Sequence, residues 1–135
     1  MKEKLINLAK KAMENSYSPY SEFKVGAALL CKDGSIYTGC NIENASFTPT
    51  VCAERVAFFK AISEGKNEFS SIAVCGGKNG KVGDKECFPC GVCRQVMSEF
   101  CDGDFVIYTL CGEEIKEYKL SQLLPYSFGA EDVKA

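Results

Sequence analysis

Histidine and tryptophan are absent from this chain of 135 residues, and proline occurs only four times. Without an imidazole, any acid–base step near neutral pH must use a carboxyl group, a thiol or metal-bound water. No apolar run is long enough to span a bilayer. The net charge of −2 comes with no run of Lys and Arg that could form a basic groove. The composition therefore argues against a membrane protein and against a nucleic acid polymer as partner.

The amino-terminal segment, MKEKLINLAKKAMENS, is amphipathic and contains acidic residues. It lacks the apolar core and the small-residue cleavage site of a signal peptide. We therefore expect a cytoplasmic protein. A hydrophobic content of 46% and a charged content of 25% are those of an ordinary globule, and the length predicts one domain over residues 1–135.

The order of apolar patterns predicts an α/β protein with a mixed sheet and helices on both of its faces. A helix is expected over residues 2–15, and a β-hairpin is expected to turn at Asp33–Gly34. Thr50 can cap a helix over residues 51–64. The remaining expected elements are a strand within 70–77, a helix over 90–101, strands within 104–110 and 113–120, and a helical turn within 120–125.

Nine cysteines are many for this length, but their odd number and the missing secretory signal argue against a disulfide framework. Three of them, Cys87, Cys90 and Cys93, recur at three-residue intervals in CFPCGVCRQ. A redox pair would explain Cys90 and Cys93 only. An iron–sulfur site of the bacterial ferredoxin type needs a cysteine at the position of Met97. A structural zinc site needs four ligands. An open zinc site with three protein ligands is the interpretation that remains.

Cys52, in TVCAER, is the candidate for the third ligand. It lies near the start of one predicted helix, as Cys90 and Cys93 lie at the start of another, and helix amino termini favour thiolates. Arg55 and Arg94 each follow a ligand closely, and we expect both to compensate thiolate charge by donating to sulfur. Glu54 can reach the same space without being a ligand, and a carboxylate there can transfer protons.

A ligand–x–Glu segment followed by P-C-x-x-C is the signature of zinc-dependent nucleoside and nucleobase deaminases. Five blocks of the chain closely resemble, in the same order, those of the small homotetrameric cytidine deaminases: YSPYSEFKVGAALL, TGCNIENASF, CAERVAFFKAISEG, PCGVCRQVMSEF and LSQLLPYSFG. The resemblance implies a three-layer α/β/α fold with a central mixed five-stranded sheet. It also implies hydrolysis of cytidine, and of deoxycytidine, to the uridine counterpart and ammonia in pyrimidine salvage.

The same resemblance implies roles for single residues. One Zn²⁺ per chain is held by Cys52, Cys90 and Cys93, and Glu54 moves the protons. The implied substrate contacts are Phe23 on the pyrimidine, Asn41 and Glu43 on the ribose hydroxyls, and the backbone around Ala53 and Cys90 on the base. A neighbouring subunit of the homotetramer is implied to lend Phe47 and Phe128.

The chain departs from the family pattern at three places that bear on substrate preference and interface detail. Thr48 and Pro49 replace a Gly-Leu pair, Phe47 often corresponds to Tyr, and Phe88 stands where a small polar residue is common. Two alternatives remain open at this point. One is a related deaminase with another small substrate, and the other is a non-enzymatic zinc or cluster module with Cys87 as fourth ligand.

Overall fold

Five strands form one mixed sheet in the computed structural model, which describes residues 1–83 and 85–134. The strand order is β2-β1-β3-β4-β5, and only the β3–β4 pair is parallel. The strands are β1 Phe23–Cys31, β2 Ile36–Cys40, β3 Phe69–Lys78, β4 Val106–Cys111 and β5 Glu114–Lys119. The predicted hairpin is β1–β2, and its turn contains Gly34 with a φ of 92°, which favours glycine.

Five α-helices accompany the sheet in the described residues. They are α1 Lys2–Ala12, α2 Ala53–Ser63, α3 Gly91–Phe100, α4 Leu120–Leu123 and α5 Ala130–Lys134, and a 3₁₀ turn over Met13–Asn15 extends α1. The sequence did not predict α5, whose five residues bury no side chain. None of the helices in the described part of the chain has the length and apolar character needed to cross a membrane.

Alternating residues along the strands divide the core between the two faces of the sheet. Leu29, Ile72 and Ile107 are buried together with α2 and α3 on one face. Ala28 and Ala73 are buried together with α1 on the other face. The predicted three-layer α/β/α arrangement is therefore confirmed, and the face that carries α2 and α3 also carries the cysteines of interest.

The start of α2 is set by a close approach to β2 rather than by a threonine cap. An added Cβ at Gly39 would lie 2.5 Å from the carbonyl oxygen of Ala53, so only glycine permits this packing. Cys52 is the N-cap residue of α2. The expected cap, Thr50, instead accepts a hydrogen bond from the Asn44 N–H at 3.0 Å. The prediction of a Thr50 cap was wrong because Cys52 occupies that position with extended backbone.

Candidate active site

Three thiols lie together where the amino termini of α2 and α3 meet. Cys52 is the N-cap of α2, Cys90 is the N-cap of α3, and Cys93 lies in the first turn of α3. The Cys90 sulfur is 3.6 Å from that of Cys52 and 3.5 Å from that of Cys93. All three sulfur atoms lie within 4.8 Å of one another, and no other such metal-ligating cluster occurs in the described residues.

The donor set and its spacing fit a zinc ion. Tetrahedral zinc with Zn–S bonds of about 2.3 Å places its sulfur ligands about 3.8 Å apart, close to the separations of these thiols. Exposure differs among the three, since Cys93 is buried and Cys90 is exposed. The exposed side gives a fourth ligand access from the solvent.

The electrostatics of the cluster favour ionisation of one thiol over that of the others. Interaction with the neighbouring Cys93 thiol, with a further contribution from Arg55, lowers the pKa of Cys52. The same interaction raises the pKa of Cys93. Nη2 of Arg55 lies 3.4 Å from the Cys52 sulfur. Arg55 therefore lies where the proposed compensation of thiolate charge requires it.

Arg94 does not make the sulfur contact expected of it. Its Nε donates to the carbonyl oxygen of Pro89 at 2.8 Å, and its Nη1 donates to that of Leu123 at 2.7 Å. The expectation that Arg94 compensates thiolate charge through a hydrogen bond to sulfur is thus corrected. Arg94 instead links the loop before α3 to the end of α4, and so helps to hold the amino terminus of α3 in place.

Glu54 follows Cys52 by two residues and is only 3% exposed. Its Oε1 is buried and has no hydrogen-bond partner among the described residues. Burial raises the pKa of this carboxyl group to about 7, above the ordinary value for Glu. Burying a carboxyl oxygen without a partner costs folding free energy, and such groups are typical of functional sites.

A cavity of about 240 Å³ opens in front of Glu54 and of two clustered thiols, Cys52 and Cys90. Phe23, Asn41 and Glu43, all predicted substrate residues, line it together with Cys52, Glu54 and Cys90. Ser21, Val25, Thr50, Val51, Cys87 and Phe88 complete its lining. A larger cavity of about 380 Å³ is lined by Lys32 and Asp102 among others, but by none of the three clustered thiols.

Asn41 holds the start of β1 as well as lining the cavity. Its Oδ1 accepts hydrogen bonds from the Val25 N–H at 2.9 Å and from the Ser16 hydroxyl, and its Nδ2 donates to the Phe23 carbonyl oxygen at 2.8 Å. Within the described part of the chain, one Nδ2 hydrogen is left for another acceptor. The residue therefore positions Phe23 through the backbone.

Glu43, expected to contact the ribose hydroxyls, already has hydrogen-bond partners within the chain. Oε1 accepts from the N–H groups of Tyr20 and Ser21, at 3.0 and 3.1 Å, and Oε2 accepts from the Ser21 hydroxyl. The Ser21 hydrogen bond lowers the pKa of Glu43. Glu43 is thus ionised and oriented in advance. The sequence did not predict this role of Ser21.

The remaining predicted residues occupy three different environments. Ala53 is fully buried in the first turn of α2. Phe47 and Phe128 are 84% and 63% exposed, and nothing in the described chain covers them. Cys87 lines the cavity but is not in the three-thiol cluster, and burial raises its pKa to about 12. Its position outside the cluster argues against Cys87 as a fourth zinc ligand.

Comparison with protein families matches residues 1–109 to the cytidine and deoxycytidylate deaminase zinc-binding region. A cytidine deaminase of Sporosarcina psychrophila is 51% identical over 132 residues, covering 97% of this chain and 93% of that protein. The cytidine deaminase of Halalkalibacterium halodurans is 50% identical over 134 residues, covering 98% and 97% respectively.

Solved structures lead to the same family. The crystal structure of cytidine deaminase from Burkholderia pseudomallei has a TM-score of 0.86 at 40% identity, covering 95% of this chain and 99% of that one. The enzyme from Mycobacterium tuberculosis has a TM-score of 0.80 at 37% identity, covering 94% and 96%. The match to the zinc-binding region covers most of this chain, residues 1–109. The chain therefore belongs to the cytidine deaminase family and is a zinc-dependent hydrolase.

Proposed function

We propose that this protein converts cytidine, and deoxycytidine, to uridine or deoxyuridine and ammonia, as a step in pyrimidine salvage. The observation that carries the proposal is the buried Oε1 of Glu54, which has no partner in the described chain and lies beside three thiols at the floor of a cavity. The family match and the relatives named cytidine deaminase support the same reaction.

Cys52, Cys90 and Cys93 would hold the zinc ion. When bound in such a site, zinc lowers the pKa of a coordinated water toward neutrality, to about 7 against about 15.7 in bulk water. Glu54 takes a proton from the attacking water and delivers it to N3 of the pyrimidine. The same carboxyl group then helps the 4-amino group to leave as ammonia. One water is consumed, and C4 exchanges its amino group for oxygen.

The other lining residues hold the nucleoside in place. Phe23 packs on the pyrimidine, and the backbone around Ala53 and Cys90 contacts the amide edge of the base. The free Nδ2 hydrogen of Asn41 and the second oxygen of Glu43 bind the ribose hydroxyls. Because Ser21 and Tyr20 already fix the carboxylate of Glu43, the sugar meets an oriented acceptor.

The assembly is proposed to be a cytoplasmic homotetramer of single-domain subunits. Phe47 and Phe128 support this proposal, because both rings are exposed and so are available to pack against another chain. Each would enter the cavity of a neighbouring subunit. Light scattering at assay concentration tests the assembly, and an active monomer would refute the sharing of sites.

The reaction is tested by following the ultraviolet absorbance of cytidine with zinc-loaded protein. We expect conversion of cytidine and deoxycytidine to be much faster than conversion of cytosine or of a cytidine nucleotide. Activity confined to another amine substrate would overturn the assignment while leaving the zinc site intact.

A further inference from the structure

In the described residues, the carboxylate of Glu86 fastens the loop between β3 and α3 to the sheet. Oε2 of Glu86 accepts hydrogen bonds from the hydroxyl of Thr109 at 2.6 Å and from that of Tyr118 at 2.7 Å. Thr109 lies on β4 and Tyr118 on β5, so the loop is held by two strands at once. Hydrogen bonds to an ionised acceptor are stronger than neutral ones. Glu86, Thr109 and Tyr118 are called the loop clamp below.

The loop clamp is followed at once by a segment that lines the active-site cavity. Cys87, Phe88 and Cys90 all border it, together with Phe23 and Glu54. The ring of Phe88 also packs edge-on against Tyr118, with centroids 5.3 Å apart and planes at 61°. Tyr118 therefore contacts the loop twice, through its hydroxyl on Glu86 and through its ring on Phe88.

Phe88 does not behave as a core residue. It is 42% exposed, whereas Pro89 beside it is buried. Burying a phenylalanine side chain is one of the larger apolar contributions to folding. Phe88 faces a cavity and therefore lacks much of this stabilisation. A partly exposed aromatic ring, held at one edge by Tyr118, is available for a flat aromatic ligand.

We propose that Phe88 contacts the pyrimidine ring of the substrate, and that the loop clamp positions Phe88 for this contact. The proposal rests on the proposed function, because it takes a pyrimidine nucleoside as the occupant of the cavity. Phe88 is the contacting residue. Glu86, Thr109 and Tyr118 act through it and touch no substrate.

The first experiment measures affinity without turnover. Cytidine binding is followed by calorimetry in the Glu54→Gln background, with and without Phe88→Ser. Base–aromatic contacts are worth enough that we expect about 5- to 50-fold weaker binding. In the otherwise unchanged enzyme, Phe88→Ser should raise KM by a similar factor, change kcat by less than about threefold, and retain zinc. Phe88→Leu should recover only part of the affinity.

The second experiment asks whether the loop clamp acts through Phe88. Tyr118→Leu should raise KM by about three- to tenfold when Phe88 is present, and should add little in the Phe88→Ser background. Tyr118→Phe keeps the ring and should raise KM by a smaller factor. Tyr108→Phe is the matched control, because it also removes a tyrosine hydroxyl but Tyr108 packs with the α1 face of the sheet.

The outcomes separate the two proposals. Unchanged cytidine affinity and KM in a zinc-loaded Phe88→Ser protein would refute the contact and leave the proposed function standing. Additive effects of Tyr118→Leu and Phe88→Ser would refute the positioning role. A wild-type protein that neither binds nor converts cytidine would refute the proposed function, and this inference with it.

Discussion

The floor and the rim of the active-site cavity are built in opposite ways. The floor consists of the first turns of α2 and α3, where Cys93 and Glu54 are buried and the thiols contact one another. The rim includes the segment from Asn41 to Thr50, where Phe47 is mostly exposed. One chain supplies the complete floor, whereas the rim leaves an aromatic ring without cover in the described residues. In the proposed assembly, one subunit supplies the chemistry and its own substrate contacts, and a neighbouring subunit adds an aromatic ring at the rim.

The largest expected effect comes from removing a thiol of the floor. Cys90→Ser should abolish tight zinc binding and reduce deamination to background, because only two thiolates remain to hold the ion. Cys87→Ser is the matched control, with a thiol in the same cavity but outside the cluster. Metal analysis after gel filtration gives the zinc content of each. Zinc loss in the Cys87→Ser protein would contradict the three-ligand site.

Glu54→Gln should leave zinc bound and lower kcat by about 10²- to 10⁴-fold, the usual worth of a positioned acid–base group. The amide keeps the volume of the carboxyl group but cannot accept and return a proton. Glu64→Gln, at the other end of the same helix, serves as the control. Near-normal turnover of the Glu54→Gln protein would remove Glu54 from the proton path.

Glu43 lies on the rim, and replacing it should reduce activity less than replacing Glu54 does. Glu43→Ala should lower kcat/KM for cytidine by about 10- to 100-fold, since hydrogen bonds to charged groups are worth about 1.5–3 kcal/mol. Zinc content should not change. Because three existing hydrogen bonds hold the carboxylate, its loss also loosens the Tyr20–Ser21 turn. Turnover of cytosine in parallel separates the two effects, and an equal loss for cytosine would mean that Glu43 does not read the sugar.

Phe47→Ala tests whether a neighbouring subunit completes the rim. The side chain is 84% exposed in the subunit, so we expect less than about 0.5 kcal/mol change in the free energy of unfolding of the isolated fold. KM should rise about three- to tenfold if Phe47 enters a neighbouring cavity. Light scattering reports whether assembly changes as well. An unchanged KM in an intact oligomer would exclude Phe47 from the shared site.

Much of the floor could be predicted from sequence because its parts are local. The Cys52–Glu54 and Cys90–Cys93 spacings each place functional groups within one helical turn, and the structure brings the two turns together. The apolar patterns likewise predicted the layers and the hairpin. The prediction for Arg94 failed because its partner is distant: Arg94 donates to the carbonyl oxygen of Leu123, which is 29 residues away. No local pattern encodes such a choice.

The rim was predicted less well for the same reason. The residues next to Glu43 in sequence do not indicate the hydrogen bonds that orient it, because its partners Tyr20 and Ser21 lie in an earlier turn of the chain. The loop clamp was missed too, since Glu86, Thr109 and Tyr118 come from three separate elements. Residue types alone, an acid and two hydroxyls, are too common on protein surfaces to indicate the contact.

Thr50→Ala should have the smallest effect, and it tests where the floor ends. A side-chain N-cap of α2 would be worth about 1 kcal/mol. Thr50 instead bonds the Asn44 N–H, which lies in the rim. We therefore expect the zinc-loaded variant to lose less than about 0.5 kcal/mol of stability, or about 2 °C in Tm. A slightly raised KM should accompany this, because the bond fixes the segment that carries Phe47. Thermal unfolding followed by circular dichroism, with Thr38→Ala on β2 as a comparison, provides the measurement. A loss above about 1 kcal/mol with unchanged KM would show that Thr50 supports α2, and would move this residue from the rim to the floor.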